Sequence, residues 1–343
     1  MHRASLLVVL LLAGCATPAP AGDAPVAPTP AAGGTWSWSE RAEAPMILAE
    51  TAVASEGPIF YVVGGWTEAG GGSPLVVAYD ARNDTWARLP PYPLPIHHAQ
   101  AAAIEGTLYV FGGAVTQALL PGTLAGVGPA GWPITAVSFK LAPGAPAWEP
   151  IASLPIARGL GGAAVVDGLV HLVGGVTMGG SYLAPVDVYD PVADAYAAGP
   201  PLPAPRDHLS VVALDGKVYA LAGRSNANGT WDDMETSEAL DITNGTWNAL
   251  APAPLGRGGQ GAGVIQGGRI VLAGGEQAEG SFSVYAEVDA YDPATDSWSA
   301  LPALPVARHG MAAASWDGRF FVMGGATPTT ILSSTLTLAP QQE

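Results

Sequence analysis

Apolar runs of strand length recur along this chain, and each ends in a pair of small residues. They read YVVGG at 61–65, YVFGG at 109–113, HLVGG at 171–175, YALAG at 219–223, VLAGG at 271–275 and FVMGG at 321–325. The closing glycines, Gly65, Gly113, Gly175, Gly223, Gly275 and Gly325, are separated by 48, 62, 48, 52 and 50 residues. Glycine and proline fall between such runs, which predicts many short strands joined by tight turns. A period of this size marks a repeat architecture, in which one supersecondary unit is copied and stacked.

Each copy continues in the same order. A second alternating run ends in a turn, as in VYDP at 188–191 and AYDP at 290–293, with weaker forms at 78–80, 239–241 and 337–340. An aromatic follows: Trp86, Trp148, Tyr196, Trp247 or Trp298. A leucine-proline pair comes next, as at Leu89-Pro90, Leu154-Pro155, Leu202-Pro203 and Leu304-Pro305, and then a strand of small residues such as GLGGAAVV (159–166). Glycine doublet, downstream tyrosine and tryptophan at a set offset together resemble the kelch repeat, over residues 36–340. That resemblance implies an all-β, six-bladed propeller with four antiparallel strands per blade, small residues crowding the axis and aromatics filling the gaps between blades. The four blade tryptophans are therefore expected to be structural.

The two ends complete one another. The sixth copy stops after Thr337-Leu338-Ala339-Pro340 without a tryptophan strand, and Gly34-Thr35-Trp36-Ser37-Trp38-Ser39 opens the fold with no doublet before it. The N-terminal strand is expected to close the sixth blade, leaving no unpaired edge and one domain over 35–343.

Composition narrows the partners. Apolar residues make up 49% of the chain and charged residues 12%, enough for a core and too apolar for disorder. Thirteen basic residues against 29 acidic ones give a formal charge of −16. No basic stretch exists to displace counterions, so no nucleic-acid partner is expected. Residues 1–14 read as a lipoprotein signal peptide, since the apolar run Leu6–Leu12 is too short to span a bilayer. Leu12-Ala13-Gly14-Cys15 resembles a lipobox, which implies acylation of Cys15, the only cysteine. Residues 15–34 then form a lipidated, Pro/Ala-rich spacer holding the body off a membrane. The expected location is the bacterial cell envelope, at the outer membrane if the cell is Gram-negative, because no Asp follows Cys15. With no other cysteine, the body holds neither a disulfide nor a thiolate metal site.

With strands lettered a to d from the axis outward, the d–a and b–c connections share one face. A basic residue stands four positions after the Leu or Ala of the d–a punctuation: His98, Arg158, Arg206, Arg257 and Arg308, with Leu48 in the sixth place. Two readings stand. Guanidinium forks ringing the channel mouth suit carboxylates, phosphates or sugar hydroxyls; alternatively each arginine satisfies carbonyls between blades. His97, His208 and His309 lie nearby at differing offsets, which reads as a polar rim, with no metal and no cofactor expected. In the b–c connections Trp66, Trp231 and Glu235 are ligand-binding candidates, because aromatic faces beside acids suit sugar rings; the longest connection, 114–133, ends beside Trp132.

Function then has two main readings. One is a monomeric recognition or scaffold propeller of the envelope, binding a glycan, a small anionic ligand, an acidic peptide or an envelope protein. The other is a cofactor-independent mutarotase or epimerase of the sialic-acid type, which the resemblance implies for some bacterial six-bladed propellers. Copper radical oxidases share the architecture but need a cysteine linked to tyrosine, which the mature body lacks.

Overall fold

A computed structural model describes residues 35–47, 49–116, 132–226, 229–278 and 282–341. The signal peptide, Cys15, the spacer, Leu48 and much of the longest b–c connection lie outside the described residues. Six four-stranded antiparallel sheets make up the body. In order a to d, blade 1 is Ala52–Glu56, Ile59–Val63, Val76–Asp80 and Thr85–Arg88, and blade 2 is Gln100–Ile104, Thr107–Phe111, Ser138–Leu141 and Glu149–Ile151. Blade 3 is Gly162–Val166, Leu169–Val173, Val186–Asp190 and Ala195–Gly199; blade 4 is Ser210–Leu214, Lys217–Leu221, Ser237–Asp241 and Thr246–Ala249. Blade 5 is Gly261–Ile265, Arg269–Ala273, Val288–Asp292 and Ser297–Leu301. Blade 6 is Ala312–Trp316, Arg319–Met323 and Thr335–Pro340, and its fourth strand is Trp36–Arg41.

That last pairing is antiparallel and runs from Trp36 opposite Pro340 to Arg41 opposite Thr335, so chain ends about three hundred residues apart close the circle. Both edges that an open array would expose are removed. The a strands stand around an axial cavity of about 490 Å³, lined largely by alanine, glycine and valine. Six strands can converge there because their side chains are short: a Cβ on Gly162 would collide with Val211 of the next blade.

The core lies between neighbouring sheets. Phe60, Tyr79 and Phe321 meet between blades 6 and 1, with the Phe60 and Phe321 rings 5.2 Å apart. Strand d then pins each blade to the one before it. The indole N–H groups of Trp86, Trp148, Trp247 and Trp298 donate to the carbonyls of Ala42, Pro90, Pro200 and Ala251 at 2.8–3.0 Å. Tyr196 donates likewise to Ala152, and Trp38 of the closing strand donates to Pro302. Six aromatics thus occupy one repeating role, as expected from their spacing: each buries a large apolar face and satisfies its polar atom across the seam. Asp84, Asp194 and Asp296 add a second tie, each accepting from a blade tyrosine and from the backbone of the preceding blade.

Candidate functional site at the channel mouth

On the d–a side, one residue of every connection joins a closed ring of backbone hydrogen bonds around the axis. His98 N–H donates to Glu50, Leu160 to His98, His208 to Leu160, Gly259 to His208, Gly310 to Gly259 and Glu50 to Gly310, all at 2.7–3.0 Å. All six have φ between +49° and +64°. The closure imposes this left-handed backbone everywhere, so glycine would be the unstrained choice. Two positions do use it. Glu50, His98 and His208 instead place chemistry there.

Two flanking sets complete the mouth. In five of the six connections the residue before the ring member forms a short antiparallel bridge with the residue after the doublet, as in Asp207 with Arg224, Gly258 with Glu276, and His97 with Ala114, and in the sixth Trp66 N–H donates to the Ala49 carbonyl. These bridges set Arg224 and Glu276 beside the ring. Blades 4, 5, 6, 1 and 2 thereby supply a polar arc: Asp207, His208, Arg224, Glu276, His309, Glu50, His98 and His97. The blade-3 side is apolar, with Leu160, Val176, Ala114 and Ile134 packed together against Trp132 and Met178.

Within the arc each cation lies against one carboxylate or more. His309 Nδ1 lies 3.0 Å from Glu50 and 2.9 Å from Glu276, so one ring nitrogen serves two carboxylates. Burial alone would lower its pKa, but hydrogen bonding to Glu276 and Glu50, and their charge, outweigh it and hold it up at about 10. Burial pushes the Glu50 carboxyl upward, yet the charge of His98 and the hydrogen bonds from His309 and His98 keep it well below the usual range. Glu276 is likewise held low against its burial, by His309 and by Arg224, whose Nη1 stands 2.5 Å away. Arg224 also lies over the Trp231 ring, 5.4 Å from its centroid.

Two imidazoles, His98 and His208, meet edge-on with ring centres 5.3 Å apart. Each has Nδ1 beside an orienting group: His97 Nδ1 at 2.5 Å for His98, and Asp207 at 3.0 Å for His208. Each turns Nε2 toward a charged neighbour, Glu50 at 3.0 Å and Arg224 at 3.0 Å respectively. Burial, then the neighbouring His98, drive the His97 pKa down to about 2, so His97 stays neutral. Glu50, His98 and His208 bring three donor atoms within 4.8 Å, the one group among the described residues with the composition of a metal site. The Arg224 guanidinium already occupies the Nε2 lone pair that His208 would offer, so a metal or a proton reaches that nitrogen only by displacing Arg224. Aromatic faces rim the arc: Trp132 stacks on His98 at 5.2 Å, Trp66 packs on His97 and Trp132, and exposed Phe282 meets His309 edge-on.

No family model matches the chain. Its sequence is 29% identical over 265 residues to kelch-like protein terF of Aspergillus terreus, covering 74% of this chain and 55% of that protein. It is 27% identical over 252 residues to human kelch-like protein 34, covering 73% and 38% respectively. The solved structure of YjhT superposes with a TM-score of 0.71 at 19% identity, covering 88% of this chain and 99% of that one. The molecule is a kelch-type β-propeller. It spans little more than half of terF and less of the human relative, and the likeness to YjhT is one of fold.

This kelch-type propeller uses its repeated arginines differently from a ligand rim. Arg158, Arg206 and Arg257 are fully buried. Each pairs with the acid at the second place of strand c in its own blade: Asp187, Glu238 and Asp289. Their terminal nitrogens also donate to backbone carbonyls such as Pro185, Ala220 and Gly274, while the Nε of each has no hydrogen-bond partner. Of the two readings, geometry supports bracing. Arg308 is buried too, but its blade has Leu336 at the place of the acid, and its hydrogen bonds go to Gly324, Ser334 and Val306. His98 does not belong to this set. The carbonyl that Gly113, Gly175, Gly223 and Gly275 bond is that of Arg158, Arg206, Arg257 and Arg308, and for Gly65 it is that of Ile96. His98 falls two residues later, in the ring, because Tyr92-Pro93 and not Leu94-Pro95 is the structural punctuation: Tyr92 N–H makes the bond made elsewhere by Leu154, Leu202, Ala253 and Leu304.

Of the other candidates, Trp66 and Trp231 join the mouth half-buried, on His97 and on Arg224. Glu235 is exposed at the entry to strand c, and none of the contacts linking the arc passes through it; the acids there are Glu50, Asp207 and Glu276. Glu50, Asp207 and Arg224 escaped the reading of the sequence. A signal was present: the residue after each doublet, and those two and three places before each small-residue strand, change from small or apolar to charged between repeats.

Proposed function

We propose that the propeller is a cofactor-independent sugar mutarotase, with His98 and His208 as its acid/base pair. The observation that carries this is the edge-on approach of two imidazoles, each oriented through Nδ1, in a mouth walled by aromatic and aliphatic surface on one side. Imidazole both gives and takes protons near neutral pH, and a buried, partnered cluster in a cleft is the setting where such chemistry concentrates. In the proposed reaction the sugar takes the place of Glu50 at His98 Nε2 and of Arg224 at His208 Nε2. One imidazole then takes the proton of the anomeric hydroxyl while the other protonates the ring oxygen. The bond from the anomeric carbon to the ring oxygen breaks, a carbonyl forms, and rotation followed by the reverse transfers closes the other anomer. Protons lost and gained balance, and no electrons are transferred. His97 and Asp207 position the two rings through Nδ1, Glu50 and Arg224 hold Nε2 until the sugar enters, and Trp132 offers a face for the sugar's C–H groups.

The test is anomer exchange by NMR. His98→Ala and His208→Ala should each slow catalysed exchange about 10²–10⁴-fold, the range for loss of a general acid or base, with the melting temperature little changed. Full exchange in both would end the proposal. Binding without exchange would return the protein to the recognition reading, which the same aromatic rim supports. The envelope location is also part of this proposal, resting on Leu12-Ala13-Gly14-Cys15. Among the described residues no helix is long and apolar enough to cross a membrane. A Cys15→Ala variant should lose acyl labelling and membrane fractionation.

A further inference from the structure

We infer that the sugar accepted at this mouth is uncharged, and that acidic sugars are turned away. The inference rests on the mutarotase reading for its chemistry but on an independent feature, the charge pairing of the mouth, for its selectivity. The repeated arginines are the obvious partners for a ligand carboxylate. Four of them, Arg158, Arg206, Arg257 and Arg308, are at most 2% exposed and have their guanidinium groups bound within the blades. At the mouth itself three carboxylates, Glu50, Asp207 and Glu276, stand among the cations. Arg224 is engaged by Glu276 at 2.5 Å and by Asp207 at 3.6 Å. His309 is shared between Glu50 and Glu276, and His98 faces Glu50. Among the described residues that touch this arc, every cation therefore already has an anionic partner or faces one.

A sugar carboxylate entering the arc would meet Glu50, Asp207 and Glu276 with no free fork to receive it. Taking Arg224 or His309 for itself would leave one of those acids buried without its counter-charge, a costly state. A neutral sugar needs only hydrogen-bond donors and acceptors, which the arc holds in abundance, and an apolar wall, which Trp132, Leu160, Val176 and Met178 supply. The overall charge of −16 adds a weak, salt-screened repulsion of anions on approach.

The experiment compares sugars that differ chiefly in charge: galactose, galacturonate and galactosamine, with N-acetylneuraminate alongside, each assayed for catalysed anomer exchange with the whole protein at pH 7. Galactose should exchange at least about tenfold faster than galacturonate, a modest allowance for one unmatched charge near others in a partly solvated site. Galactosamine should not suffer that loss. Glu276→Gln, which removes one anion, should narrow the galactose-to-galacturonate ratio. Galacturonate or N-acetylneuraminate exchanging as fast as galactose would overturn the charge inference while upholding the mutarotase. Exchange of none of the sugars would end the mutarotase reading, and saturation-transfer binding would then decide the charge rule. Galactose bound in preference to galacturonate upholds it; equal binding, or none, overturns it.

Discussion

Arg206 and Arg308 occupy equivalent places in two blades, yet they should respond differently to the same substitution. Arg206→Met removes a guanidinium whose carboxylate partner, Glu238, is 6% exposed and pairs with it directly. Glu238 would remain as a buried anion without a counter-charge, and breaking one side of such a pair typically costs about 3–5 kcal/mol. Arg308→Met leaves behind no acid, because Leu336 stands where Glu238 would be. The orphaned groups are the Gly324 carbonyl and the Ser334 hydroxyl, formerly bonded at 2.9 and 3.0 Å. Those losses should amount to about 1–2 kcal/mol, partly offset because burial already opposes the Arg308 charge, holding its pKa down at about 10. The gap between the two variants should be about 1–4 kcal/mol, read as the difference in urea midpoint at a common slope. The double variant Arg206→Met/Glu238→Leu should recover most of the loss, since an apolar pair of similar volume often replaces a buried ion pair at little net cost. Equal losses in Arg206→Met and Arg308→Met, with no recovery in the double variant, would refute the bracing role.

Further outcomes follow from the same geometry. His309 has a folded pKa of about 10 against an ordinary value near 6.5, so its contribution to stability is complete below about pH 6.5 and disappears as pH rises through 10; the melting temperature of the wild type should fall across that window by more than that of His309→Ala. Glu50 and Glu276 are shifted the other way, so their contributions hold above the ordinary carboxylate range and fail as pH falls through their lowered values. Gly310→Ala would put a Cβ into the Glu50 carboxylate at a φ of +60°, and should cost over about 1 kcal/mol while reducing exchange activity, measured by denaturation and NMR. Trp38→Ala removes the bond to Pro302 and the packing on Phe320, and should lower stability by about 2–3 kcal/mol, whereas loss of the whole strand 36–41 should abolish cooperative melting.

Much of the architecture was legible because it rests on local rules repeated in sequence. A doublet in which Gly64 and Gly65 have φ of +67° and +111° suits glycine in both places, so it recurs visibly. The aromatic of strand d performs one task in every blade, so its spacing survives. The missing tryptophan strand at one end and the surplus one at the other announced the closure. In blades 3 to 5 the bracing role was also written in the chain: where the connection carries arginine, strand c carries Asp or Glu at its second place. Blades 1 and 2 have Val77 and Phe139 at that place instead, and in blade 2 the arginine's counterpart is Ile96.

What the chain alone determined, then, is the unit, its copy number and how its ends meet, because each follows from spacing and backbone chirality within one repeat. Register and environment were decided in three dimensions. Two X-Pro steps in Pro91-Tyr92-Pro93-Leu94-Pro95 offer two alignments, and only the bond from Tyr92 to Pro74 shows which one holds, moving His98 from the arginine set into the ring. Likewise an arginine near a predicted rim can point outward or into its blade; the cost of an unpartnered buried acid turns three of them inward. The mouth itself is assembled from Glu50, His208, Arg224, Glu276 and His309, which lie up to 259 residues apart in the sequence. No local pattern joins them, because it is the closing of six sheets around one axis that makes them neighbours.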